Sequence, residues 1–438
     1  MCMNAAYDNT IFGAKNVKNK QSLNLLFTAN GISGFAQGIS MLAIPWYFTK
    51  SQSGTYFNVS YGIITAIVLF FGLYAGTLVD RFSRKANFLG NNLVCGILIL
   101  AISILGYING ALDDFWVMAV FGITMLNYNI HYPTLYAFGH EITEPQYYNK
   151  VNSNIEVVGQ STSILSGAFA ALLIEGVASG KGKLFGFEVN MPFEIPRWEI
   201  WEVFMLNTVT YFIAAALVIM IRYTPVKQAK VELGSIWKRV VSGFTYLKQH
   251  PMFLIFGLFS YSVFAMLLVE IHAVLPGYVE RHLQEQGSVF AAADLIYAIG
   301  ALCAGLFVSK VFSSTHTVKA IIILTLITAG IFFWGFASKS VVVIYLISII
   351  LGFTNAGIRV LRLTYLFNHI PNELMGRVNS IFNMANVLTR TLFIFLFSMP
   401  FFTFGNHMIW AFLVMSFFLL VSGVVLWVNL QKLQEGKA

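Results

Sequence analysis

Long apolar runs separated by short polar breaks recur along the whole chain, and most are long enough to matter to a membrane. A helix needs roughly 20 apolar residues to cross the hydrocarbon layer. The pattern predicts twelve such spans, at 22–49, 55–79, 86–110, 113–139, 150–175, 203–222, 252–279, 288–311, 317–337, 340–367, 376–400 and 406–430. Within each run the apolar positions are continuous rather than alternating, which excludes a membrane β-barrel. A polar segment, 223–251, separates the first six spans from the last six. The expected organisation is therefore an N-terminal tail (1–21), a six-helix bundle (22–222), a linker (223–251), a second six-helix bundle (252–430) and a tail (431–438). No strict sequence repeat is visible, but a 6+6 hydropathy pattern is what two structural halves produce. Lys227, Lys230, Lys238, Arg239 and Lys248 in the linker predict a short amphipathic helix along the membrane surface. The fold class is an all-α membrane protein.

Composition agrees. Of 438 residues, 57% are hydrophobic and 11% charged, with mean hydropathy +0.72; a soluble chain carries about 25% charged residues. A net charge of +8 would suggest a nucleic-acid partner in a soluble protein. Placement gives another explanation. With the N-terminus inside, 18 Lys and Arg fall on the cytoplasmic side and six (Lys50, Lys181, Lys183, Arg197, Arg281, Lys339) on the other. That bias puts both termini in the cytoplasm, so the basic charge signals topology and no nucleic-acid partner is expected. Cys2, Cys95 and Cys303 are too scattered for a disulfide framework or metal cluster. Residues 1–20 lack the apolar core of a cleavable signal, so the first span is expected to direct insertion. The connection 176–202 is the longest external loop; its neighbourhood is acidic (Glu175, Glu188, Glu194, Glu199, Glu202) and holds Phe185, Phe187, Trp198 and Trp201. An interfacial aromatic belt and a binding lid both fit it.

The connection between the second and third spans reads Gly76-Thr77-Leu78-Val79-Asp80-Arg81-Phe82-Ser83-Arg84-Lys85. It resembles the G-x-x-x-D-R-x-G-R-[KR] loop of major facilitator transporters, departing at Ser83, where that family usually has Gly. The resemblance implies the major facilitator fold, with a cytoplasmic gate at Gly76, Asp80, Arg81 and Arg84. Three further stretches resemble one branch, the drug and siderophore exporters that include the enterobactin exporter and macrolide efflux proteins: Phe204–Phe212, Val241–Pro251 and Pro371–Ser380. Many proton-driven drug antiporters carry a Gly- and Pro-rich fifth-helix motif. Here Gly159–Gly167 keeps two glycines and has no proline.

Ionisable groups inside spans are costly, roughly 2.5–3.5 kcal/mol on insertion scales, so each needs a partner or a wet cavity. Six stand out: Glu156, Glu270, Asp294, Arg359, Arg362 and Arg390. Asn355, Arg359 and Arg362 share one face of span ten; Asn379, Asn383, Asn386 and Arg390 form a stripe on span eleven. Asn127 and His131 align on span four, as do Asn30, Gly34 and Gln37 on span one. The resemblance implies that spans one, four, seven and ten line the central cavity. Guanidinium groups hold carboxylates bidentately, so Arg359, Arg362 and Arg390, with Asn355, Asn127, His131 and Gln37, are candidate substrate ligands. Pairing of Arg359 and Arg362 with Glu270 or Asp294, simply to hold helices together, is the competing reading. Glu270 and Asp294 are candidate proton carriers, and His131 and His272 titrate in a range that would also serve. Tyr47, Tyr128, Tyr132, Phe259 and Tyr365 are placed to stack on a ring-bearing solute or to pack between helices.

No compact His/Cys/Asp/Glu spacing suggests a metal, no Gly-Lys-Ser/Thr loop suggests ATP coupling, and no catalytic residue or cofactor is expected. The expectation is a secondary active transporter, not an enzyme, in the bacterial inner membrane. It would work as a monomer by alternating access, with protons, a small-molecule substrate and lipid as partners. A proton-coupled exporter of an anionic, chelating metabolite such as a siderophore is favoured; a multidrug pump, an importer and a lysophospholipid flippase are the alternatives.

Overall fold

The computed structural model describes residues 19–222, 235–312 and 316–434. Lys227 and Lys230 of the linker, and both distal tails, lie outside them. The first bundle comprises span one (Lys20–Lys50), span two (Gly54–Arg81), span three (Arg84–Asn109), span four (Asp114–Ile142), span five (Tyr148–Leu173) and span six (Ile200–Met220). The second comprises span seven (Pro251–Leu283), span eight (Gly287–Val311), span nine (Thr317–Ala337), span ten (Val341–His369), span eleven (Asn372–Phe397) and span twelve (Ile409–Val428). Ten of these are long and apolar enough to cross a membrane by composition alone. The other two, spans one and four, have the length but carry buried polar rows: Asn30, Ser33, Gln37 and Ser40 on one, Thr124, Asn127, His131 and Thr134 on the other. Both also contain a proline, Pro45 and Pro133. Polar side chains at membrane depth face protein rather than lipid, so these buried rows turn spans one and four toward the interior.

The repeat that is invisible in sequence is present in packing. Span two packs on four as eight packs on ten, and three on six as nine on twelve. The bundles meet reciprocally, five against eight and eleven against two. Spans eight and ten approach backbone to backbone, where a Cβ on Gly300 would collide with the Ile349 carbonyl and one on Gly352 with the Tyr297 carbonyl. Only glycine permits that approach.

Span seven is irregular for a local reason. The Pro276 ring has no N–H and crowds the carbonyl four residues earlier. The turn before it widens, with the Leu275 amide donating to the Glu270 carbonyl five residues back. Glu270–Val274 and Tyr278–Leu283 are π-helical, a geometry that concentrates at functional sites.

Several short elements lie outside the spans, two of which bear on how the halves meet. A helix at Ser235–Gln249 runs through the linker and packs on span eleven. Between spans five and six, Gly180–Leu184 pairs with Phe187–Met191 in an antiparallel hairpin, a strand pair the helical reading did not anticipate. Its two-residue tip, Phe185 and Gly186, has φ of 54° and 78°, the signs a type I′ turn requires. Glu199 and Glu202, read as part of an acidic loop, form a capping box at the start of span six.

Candidate functional site

The bundles close on each other at the end that carries the hairpin. Glu175, just past span five, accepts hydrogen bonds through Oε1 from the Trp46 indole (3.0 Å) and from the Gly287 amide (3.0 Å). Gly287 opens span eight in the opposite bundle, so a carboxylate of one half caps a helix of the other, where the macrodipole favours negative charge. Lys50 sits 3.6 Å from the same oxygen, and Trp46 stacks on Phe290 with centroids 6.2 Å apart. Nearby, Thr55 bonds Thr403 across the halves (2.8 Å), and Tyr61 donates to the Leu268 carbonyl (3.3 Å). The hairpin tip also crosses over: Tyr345 of span ten donates to the Phe185 carbonyl (2.7 Å). Sequence reasoning passed over Glu175 as one acid of a loop. The signal was available only as a carboxylate directly after a span.

Deeper between the bundles lies a second polar junction. Arg359 Nη2 meets Glu156 Oε2 at 3.0 Å, joining span ten to span five, and Glu156 also accepts from the Tyr136 hydroxyl (2.6 Å). Both side chains stay open, 47% and 43% exposed, so they face accessible space. Arg359 therefore pairs with Glu156 rather than with Glu270 or Asp294. Asp294 accepts from Ser163 across the halves at 3.4 Å. Asn355 donates to the Tyr297 hydroxyl (2.9 Å), and Tyr297 lies within electrostatic range of Arg359, Asp294 and Glu270. Glu270 is buried and makes no side-chain hydrogen bond or ion pair with the described residues. The structure thus gathers Arg359, Asn355, Asp294 and Glu270 into one neighbourhood.

Arg362 is elsewhere. Its guanidinium lies 3.4 Å over the Tyr261 ring and donates to the Ser260 carbonyl (3.0 Å), with the residue only 4% exposed. Tyr261 is also held by the span-eleven stripe, donating to Asn379 (2.8 Å) and accepting through its carbonyl from Asn386 (3.2 Å). The same stripe ends in Arg390, 6% exposed, near Tyr61 and His272.

A model of the Major Facilitator Superfamily matches residues 26–394. The chain belongs to the major facilitator superfamily. It is a transporter and not an enzyme. Among solved structures of this fold, a bacterial homologue of the human lysosomal transporter Spinster, inward-facing and unoccupied, superposes with TM-score 0.70 at 10% identity, over 97% of this chain and 99% of that one. The nucleoside transporter NupG gives TM-score 0.65 at 13% identity (93% and 98% covered). A bacterial homologue of the iron transporter ferroportin, inward-facing, gives 0.66 at 14% (93% and 98%). No curated protein sequence matches the chain. At these identities the likeness speaks for the fold.

Within this superfamily member, the 76–85 connection is tied to its own bundle. Gly76 and Asp80 fall in the last two turns of span two, and their side chains lie outside the described ones. Arg84 Nε pairs with Glu141 of span four (3.2 Å), Arg81 lies over the Phe82 ring, and Lys85 donates to the Ile219 and Ile221 carbonyls at the end of span six (2.8 Å each). Ser83, the departure from the usual glycine, is the N-cap of span three, accepting from the Ala86 amide at 3.2 Å. A serine oxygen satisfies an end amide that glycine leaves to water. His131 Nε2 bonds Asn30 Oδ1 (2.8 Å) and the Asn127 amide bonds Cys95 (3.4 Å), so these two candidates sit in the first bundle's interior. Gln37, 1% exposed, is there too, with its amide nitrogen unpartnered. Tyr365 is sealed, its hydroxyl on the Leu433 carbonyl.

Proposed function

We propose that this transporter exports a small organic anion across the bacterial inner membrane in exchange for protons, with a chelating, siderophore-type metabolite as first candidate. One observation carries the reading. Glu270 and Asp294, two membrane-depth carboxyls on adjacent spans, have no cation on them among the described residues, while the arginines are carried by spans ten and eleven. Acids in such a position take up and release protons as water reaches them from alternate sides. Arginines in the facing wall attract a negative cargo. The charge bias places both termini in the cytoplasm, which makes the hairpin end external. On that orientation the bundles are closed outside, and the Glu156–Arg359 junction lies on the inward path. Gly76, Asp80, Arg81 and Arg84 then belong to the cytoplasmic gate that forms when the halves rock the other way.

Comparative metabolite profiling of cells and medium, with and without the gene, tests direction and cargo. An anionic metabolite retained inside the deletion strain supports the proposal. Loss of uptake of any solute overturns export. Wild-type protein in vesicles should move protons when the anion is added, and absence of that movement removes the coupling.

A further inference from the structure

The three membrane-depth arginines have different fates, and only one keeps an unengaged charge. Arg359 is paired with Glu156, and Arg362 is committed to the Tyr261 ring and the Ser260 carbonyl. Arg390, 6% exposed, makes no hydrogen bond or ion pair with the described residues. Its Nε is sealed without a partner. The terminal nitrogens are equally unbonded but are not among the sealed atoms, so they touch open space. Arg390 lies about two turns from the end of span eleven, where spans two, seven and eleven converge.

The groups around it do not neutralise it. Tyr61, within electrostatic range, gives its hydroxyl to the Leu268 carbonyl. His272, also in range, bonds the same carbonyl through Nδ1 at 3.2 Å, so that nitrogen carries the proton and the ring brings no negative charge. Asn58 directs its amide to the Ala273 and Phe397 carbonyls (3.4 Å each). A guanidinium at membrane depth that meets neither an acid nor a carbonyl faces a wet cavity, where its charge is open to an entering anion. Tyr61, His272 and Phe121 form a ring cluster beside it, with Tyr61–Phe121 and Tyr61–His272 centroids 5.2 Å and 5.6 Å apart.

We infer that Arg390 is the anchor for the cargo's negative group, and that this group carries a single charge: one carboxylate, or one phosphodiester, on a flat apolar body. The inference rests on the proposed transport reading and narrows it. One unengaged guanidinium matches one negative charge and its fork binds an oxyanion through two parallel bonds, whereas a polyanionic cargo would leave charge unpaired against Tyr61 and Phe121; among chelating metabolites the site therefore selects those that present a single charge.

The test uses the purified full chain in detergent, with benzoate as probe, benzamide as its neutral isostere and dimethyl phosphate as the phosphodiester arm. Benzoate should raise the melting temperature and benzamide should not. Arg390→Gln should weaken benzoate at least tenfold, Arg390→Lys should do so less, and Lys339→Gln, at an exposed residue between spans nine and ten, should leave it within twofold. The tighter of benzoate and dimethyl phosphate identifies the oxyanion. Because the empty protein buries an unpaired charge, Arg390→Met should raise the melting temperature of the ligand-free chain while abolishing the benzoate shift. A fall in that melting temperature would make Arg390 a helix-packing residue and overturn the inference, as would unchanged benzoate binding by Arg390→Gln. Binding through Arg390 with no proton movement in vesicles would instead overturn the transport reading and leave the anchor standing.

Discussion

Replacing Glu175 by alanine should open the hairpin end of the molecule. Three groups hold this carboxylate, but Trp46 and Lys50 belong to its own bundle and only orient it. The bond that crosses the halves is the one from the Gly287 amide, at 3.0 Å. A hydrogen bond to a charged acceptor contributes about 1.5–3 kcal/mol, and the charge at the start of span eight adds roughly 0.3–1 kcal/mol. Taking about 2–3 kcal/mol in all, the equilibrium between closed and open at this end should move by about 30- to 150-fold, at 1.4 kcal/mol per tenfold. Glu175→Gln keeps an acceptor for the amide but loses the charge, and should move it about tenfold. Thr49 is a suitable reporter, 5% exposed and lining a crevice shared with Asn58, His272 and Arg281. With Cys2, Cys95 and Cys303 replaced, Thr49→Cys should react with a membrane-impermeant maleimide at a rate set by the open fraction. The rate should rise in the order wild type, Glu175→Gln, Glu175→Ala. Equal labelling of wild type and Glu175→Ala, within twofold, would refute the cross-bundle cap as a determinant of closure.

Other outcomes follow from the same contacts. The hairpin belongs to the first bundle but docks on Tyr345 of the second, with the Phe187 and Tyr345 rings 6.4 Å apart; joining Phe187→Cys to Tyr345→Cys with a short reducible linker should stop transport, and reductant should restore it. Unimpaired flux in the linked protein would show that the hairpin need not separate. Arg362→Ala should lower the melting temperature, by about 2 kcal/mol of stability, because it removes a buried bond and a stacked cation. Arg359→Ala should barely change it, since an exposed pair contributes about 0–1 kcal/mol; a larger fall for Arg359→Ala than for Arg362→Ala would reverse the two roles. Glu270→Gln should lose proton-coupled flux while keeping substrate exchange, measured in the same vesicles, and parallel loss of both would assign Glu270 to packing.

Individual residues show how far the chain could be read before folding. The spans were legible because solvent preference is local: a run of apolar residues identifies itself. Pro276 and the acid six residues before it were equally visible, yet the π-helical turn between them emerges only from the clash of ring and carbonyl in a formed helix. Arg359 and Arg362 look equivalent in sequence, one face and one spacing. In the fold one is open and paired with Glu156 and the other is sealed over Tyr261, because three residues of helix rotate them toward different neighbours. Ser83 read as a defect in a motif and is a helix cap.

What the sequence by itself determined is the class of machine: membrane helices, two halves and the superfamily, all carried by hydropathy and a short loop. Which charges remain unengaged was decided by tertiary structure alone. Partners such as Glu156 for Arg359, or the Gly287 amide for Glu175, come from the opposite bundle, about 100 to 200 residues away along the chain. Electrostatic pairing depends on distances of a few ångströms, and no local pattern encodes a distance across two bundles.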